Sequence, residues 1–141
     1  MTSRTDGGAG GGEDLPITGD DDVVRVRQLV RVYAQRARLS LVDQTKLVTA
    51  TSELARNTLI YGGGGFARVE EVVDGHRVGV RASFHDEGPG IPDLTLALAD
   101  GWSSGRGLGL GLSGARRLVD RFDLDTEVGR GTTVTVVKWR R

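Results

Sequence analysis

"FARVEEVVDGHRVGVRASFHD", residues 66–86, alternates apolar and polar side chains on either side of Asp74-Gly75-His76. A period of two places every second side chain on the same face of a strand, and an Asp-Gly step supplies the positive φ that a tight hairpin requires. The stretch reads as a β-hairpin with one buried face. A sheet begins here, after the glycine run at 62–65.

Upstream, the period becomes helical. Val26, Leu29, Val30, Tyr33 and Ala37 share one face of a helix predicted over 23–38, with Asp22 as its cap and arginines on the other face. Ser40 opens a second helix that runs to Tyr61 and stops at Gly62, with Asp43 three residues on forming a capping box. On it, Leu47, Ala50, Leu54 and Thr58 make one row, and Leu41, Val48, Ala55 and Leu59 a second, as expected of a helix sandwiched in a core. Before both helices, residues 15–18 read as a short edge strand, because Pro16 cannot donate to a central ladder. Residues 1–14 are glycine-rich and polar, bury too little to offset their ordering entropy, and read as a disordered tail ahead of one domain over 15–141.

Downstream come a short helix over 92–100, a glycine loop, a helix over 112–122 and, in "FDLDTEVGRGTTVTVVKW", two strands turning at 129–131. The order β-α-α-β-β-α-β-β defines the α+β class: a two-layer sandwich whose mixed, mostly antiparallel sheet carries helices on one face.

Composition narrows the function. Lys plus Arg and Asp plus Glu number 19 each, so no basic field invites nucleic acid or an anionic membrane. The chain has no cysteine, which excludes thiol catalysis and cysteine-ligated zinc and agrees with a reducing cytoplasm; two histidines argue against a histidine metal site. No apolar run approaches the roughly 18 residues of a membrane span, so a cytoplasmic protein is expected.

Four motifs carry chemistry. Lys46, Thr49, Glu53 and Asn57 form one polar stripe on the second helix, either a solvated face or part of a site. In "HDEGPGIPD", residues 85–93, Gly88 and Gly90 flank Pro89 directly after a strand. This is either an ordinary turn or a close backbone approach to a ligand, with Asp86 placed to meet an amino group on a flat molecule. In "GWSSGRGLGLGLSGARRLVD", residues 101–120, glycines precede a helix whose free N–H groups favour phosphate. Its G-x-G-x-x-G spacing follows a polar loop rather than a strand, which rejects a Rossmann site, and no P-loop sequence is present. Finally, Thr132 or Thr133 opens the last strand after a glycine turn.

In this order, E-x-x-x-N, D-x-G-P-G-I, G-L-G-L-G-L and G-T resemble the GHKL (Bergerat-fold) superfamily of histidine-kinase catalytic domains, gyrase, Hsp90 and bacterial anti-sigma kinases. Within it, "SELARNTLIYGGGG", "DEGPGIPD" and the ending "VKW" look most like the switch kinases of the bacterial stressosome. The resemblance covers about residues 15–140 and implies ATP and Mg²⁺ as cofactors. By it, Asn57 binds Mg²⁺, Glu53 is the general base or water-orienting carboxylate, Asp86 recognises adenine, Gly88 and Gly90 form the turn beneath the base, and Thr132 lies near it. Gly105, Arg106, Gly107, Leu108, Gly109 and Gly111 fall in the mobile lid over the triphosphate. Arg106 stands where a smaller residue is expected, and either neutralises phosphate charge or stiffens the lid. Ser113 stands where close relatives tend to carry proline.

The resemblance implies a Mg-ATP-dependent serine/threonine kinase. Its substrates would be STAS-domain stressosome scaffold or antagonist proteins, and its release would activate a PP2C-type phosphatase. A second reading is an anti-sigma factor that binds a sigma factor and an anti-anti-sigma protein. A histidine-kinase module is disfavoured, because His76 lies in a turn and His85 in a strand.

Overall fold

The computed structural model describes residues 11–91 and 111–141. Among them, five strands pair in the order β1-β2-β3-β5-β4: β1 (Gly12–Ile17), β2 (Gly65–Asp74), β3 (Arg77–Asp86), β4 (Arg121–Glu127) and β5 (Gly131–Trp139). All four pairings are antiparallel, as the sequence reading of a mixed, mostly antiparallel sheet expected for most of them. Helices α1 (Asp20–Arg36), α2 (Leu41–Ile60) and α3 (Gly111–Arg117) complete the described elements, and the α+β class stands. The helix expected over 92–100 lies outside the described residues.

The hairpin forms as its alternation requires. Asp74 pairs with Arg77, and Gly75 takes φ 63° in the turn between them. Ala67 and Val69 from β2, Val80, Ala82 and Phe84 from β3, and Val134 and Val136 from β5 are buried beneath α1 and α2. Val26, Val30, Leu47 and Leu54 meet them from the helices, each at most 1% exposed. The opposite face is solvated, as an antiparallel sheet allows. There Phe66 stacks on His85 at 4.5 Å between centroids, and Arg81 pairs with Glu70 at 2.9 Å.

Four details differ from the sequence reading. Strand β1 starts at Gly12, so residues 12–14, placed in the tail, pair with Glu70, Val69 and Arg68 of β2. Tertiary bonds supply what local propensity lacks: Tyr33 Oη donates to Glu13 at 3.0 Å, and Arg68 pairs with Asp14 at 3.0 Å. As Pro16 required, β1 is an edge. Second, α1 begins at Asp20 with Gly19 as N-cap. Asp22 lies inside the first turn and reaches back, accepting the N–H groups of Thr18 (2.8 Å) and Gly19 (3.1 Å); the Thr18 bond heads the contacts that hold its carboxyl below the usual range.

Third, Ser40 does cap α2, accepting the Asp43 N–H at 3.1 Å, but the Asp43 carboxylate faces Lys138 at 3.6 Å. Lys138 continues the helix-facing row of β5 and is only 4% exposed; Leu41, expected in an apolar row, is 74% exposed at the first turn. Fourth, α3 ends at Arg117, and Arg121 and Phe122 belong to β4. Phe122, Leu124 and Thr126 are half-buried between exposed neighbours, so the period of two begins there.

Candidate functional site

The site lies where the end of α2, the end of β3 and the β4–β5 turn converge. Glu53 and Asn57 are half-buried on α2, one turn apart, while Lys46 and Thr49 of the same stripe are exposed. The Glu53 carboxylate accepts the backbone N–H of Gly111, the first residue of α3, at 3.3 Å. The Asn57 carbonyl accepts two N–H groups, from Tyr61 at 2.9 Å and Gly62 at 3.2 Å, and so ends the helix.

Asp86 is the last residue of β3 and stands opposite Thr132 in the β3–β5 register. Its Oδ1 accepts the Gly88 N–H at 2.9 Å, a local turn that aspartate favours and that fixes the carboxylate orientation. Gly90 takes φ 79°, and a Cβ there would come within 2.5 Å of the Glu127 carbonyl oxygen. The Gly129 N–H donates to the Pro89 carbonyl at 2.9 Å, so the turn after Asp86 is fastened to the β4–β5 turn. Asp86, Gly88, Gly90 and Thr132 are thus brought together. Gly105, Arg106, Gly107, Leu108 and Gly109 lie outside the described residues.

Three contributors were given no role in the site by the sequence. Thr126 Oγ1 accepts the Ile91 N–H at 3.0 Å, lies 2.8 Å from Thr132 Oγ1 and 3.2 Å from the Gly131 carbonyl, joining both turns through one hydroxyl. Gly131, at φ 124°, lies where a Cβ would be 2.8 Å from the Glu87 Cα and would collide with the Asp86 carbonyl oxygen. Gly62 lies against the Asp86 side chain in the same way. The glycine runs at 62–65 and 129–131 were the available signal, read only as loop and turn. Gly62, Gly88 and Gly131 thus sit at close contacts where the end of α2, the turn after Asp86 and the β4–β5 turn pack without room for a Cβ.

His85 points to the opposite sheet face. Its ring nitrogens lie 3.2 Å from Thr133 Oγ1 and 3.2 Å from Ser83 Oγ, and burial depresses its pKa, so the imidazole is neutral at physiological pH. Among the described residues, no group of three or more His, Cys, Asp or Glu could cage a metal ion, and no helix is long and apolar enough to cross a membrane.

An antiparallel sheet with helices on one face, an acid at the end of β3 and a Glu–Asn helix agree with one ATPase class. The family described as histidine kinase-, DNA gyrase B-, and HSP90-like ATPase matches residues 42–141, and this chain belongs to it. The chain is 43% identical over 120 residues to the serine/threonine-protein kinase RsbT of Bacillus subtilis, across 85% of this chain and 90% of that one. It is an ATP-binding, RsbT-like serine/threonine-protein kinase. A crystal structure of the RsbU and RsbW domains of a Mycobacterium tuberculosis protein superposes with a TM-score of 0.63. That likeness covers 95% of this chain and 34% of the solved one at 22% identity, and speaks for the fold alone.

Proposed function

We propose that this protein is a cytoplasmic Mg-ATP-dependent kinase that phosphorylates a serine or threonine of STAS-domain scaffold or antagonist proteins. In this reading it then exchanges them for a PP2C-type phosphatase. The observation that carries the reading is the convergence of Asp86 and Thr132, packed through Gly62, Gly88 and Gly131, at the end of α2, the helix that also bears Glu53 and Asn57.

Asp86, with Oδ1 held by Gly88, presents an acceptor for the exocyclic amine of adenine, and the Thr132 hydroxyl, held by Thr126, lies across the strand pair from it. Guanine offers a carbonyl at that position, so a fixed carboxylate discriminates against GTP. In this reading Glu53 takes the proton of the substrate hydroxyl as its oxygen forms a bond to the γ-phosphorus and the bond from phosphorus to the β-bridging oxygen breaks, releasing ADP.

Mg²⁺ shared with phosphates prefers one or two protein oxygens plus phosphate and water to a protein cage. Asn57 would hold it through its amide oxygen. When bound, the ion neutralises charge on the phosphates. The lid glycines 105, 107 and 109, with Arg106 and Leu108, would complete phosphate binding by the resemblance described above.

The test is transfer of label from γ-labelled ATP to a purified STAS-domain partner. Label on serine or threonine is expected; its absence with folded protein and saturating Mg-ATP contradicts the reading.

A further inference from the structure

We propose that Gly62 is a positioning residue for base recognition: its lack of a side chain creates the space in which the Asp86 carboxylate stands. The inference rests on the reading of Asp86 as the base-recognising acid. A Cβ added to Gly62 would lie 2.5 Å from Asp86 Cβ and 2.6 Å from Oδ2, and closer still to Cγ. Real Cβ atoms do not approach heavy atoms so closely, so one of the two residues must move.

Backbone conformation does not explain a glycine here. Gly63 and Gly64 take φ 74° and 105°, where glycine is preferred, whereas Gly62 is not among the positive-φ residues. A Cβ on Gly63 would meet nothing within 4 Å. Position 62 thus lies outside the positive-φ region, and the nearest atoms a Cβ there would meet are those of the Asp86 side chain.

The carboxylate cannot yield and keep its orientation. Its Oδ1 is tied to the Gly88 N–H at 2.9 Å, and Gly88 itself backs onto Gly62, where an added Cβ would be 2.8 Å from the Gly62 Cα. A methyl group at position 62 therefore rotates the Asp86 side chain away from the turn. The Gly62 N–H is in turn bonded to the Asn57 carbonyl at 3.2 Å, so one glycine links the helix bearing Asn57 to the acid that reads the base.

The experiment compares ATP and GTP binding by calorimetry for the wild type, Gly62→Ala, Gly63→Ala, Asp86→Gly and the Gly62→Ala/Asp86→Gly double variant. Gly62→Ala should lose about tenfold in ATP affinity, as expected for one charge-assisted hydrogen bond, with GTP affinity unchanged. Gly63→Ala should keep the ATP preference. In the Asp86→Gly background, which removes the colliding atoms, Gly62→Ala should cost nothing further. A folded Gly62→Ala protein that keeps the ATP preference while Asp86→Gly loses it overturns the inference and leaves the role of Asp86 intact. An undiminished preference in Asp86→Gly instead overturns that role, and the inference with it. Should Gly62→Ala alone fail to fold, thermal melting of the double variant decides: recovery of the fold supports the collision with Asp86, and no recovery refutes it.

Discussion

The Glu53 carboxylate and the backbone N–H of Gly111, 58 residues apart, meet at 3.3 Å and join the middle of α2 to the first residue of α3. One carboxylate thus ties two helices together. Glu53→Gln keeps an acceptor for that N–H but removes the base. Phosphoryl transfer should fall by about 10²–10⁴-fold, the usual contribution of general base catalysis, with nucleotide affinity near that of the wild type. Glu53→Ala also abandons the N–H and should lose about 1 kcal/mol in urea denaturation. Wild-type transfer rates in Glu53→Gln would exclude the base role.

Thr126→Val is close to isosteric, yet it removes a hydroxyl that serves Ile91, Gly131 and Thr132. The Ile91 N–H loses its acceptor, a cost of about 1–3 kcal/mol. Chemical denaturation should read this loss, and calorimetry a weaker affinity for ATP as Thr132 is released. An unchanged ATP affinity would detach Thr126 from the site.

At the end of α1, Arg38 adopts φ 65°, its N–H bonding the Gln35 carbonyl and the next N–H, of Leu39, bonding Ala34, both at 3.0 Å. This is a Schellman cap with arginine where glycine is preferred. Arg38→Gly should stabilise the protein by about 0.5–1 kcal/mol, a midpoint shift upward in thermal melting. A downward shift would show that the arginine side chain outweighs its backbone cost.

Asp120 links the C-terminal residues to the helix layer. Burial raises its pKa, but the Trp139 N–H at 2.7 Å, Lys138 and Arg141 outweigh it, and the carboxyl titrates below its ordinary value of 3.8. A folded pKa below the unfolded one means the unfolded chain binds the proton first. The stabilisation is therefore full above 3.8 and is lost as pH falls through the lower folded value. Asp120→Asn should lower stability at neutral pH and flatten its decline in acid, measured by urea titration across that range. An equally steep acid decline in the variant would contradict the assignment.

Much of the fold was legible because its signals are local. The β2–β3 hairpin declares itself by alternation and Asp-Gly, and Ser40 marks the start of α2. What was misread depends on contacts distant in sequence. Residues 12–14 are polar and join the sheet through β2, Arg68 and Tyr33. The limit of α3 was invisible because no glycine or proline punctuates 118–121, and Leu118 and Val119 suit either structure. In the candidate site, Asp86 drew attention through its glycine neighbours and Thr132 entered through the family resemblance, whereas Thr126 looks like any strand threonine until its hydroxyl is seen between two turns. Gly62 was read as a helix stop; only the position of Asp86 gives it a second role.

The central claim is that α2 carries the phosphoryl-transfer machinery separately from partner recognition. It is tested most directly with Asn57→Ala, which removes one half-buried amide from a helix held by Leu47, Leu54 and Ala55. Single-turnover label transfer from Mg-ATP to a STAS-domain partner should be lost, while the folded variant still co-elutes with that partner in size exclusion, trapped because release follows phosphorylation. Full phosphorylation of the partner by a folded Asn57→Ala protein, or loss of co-elution, would contradict the account.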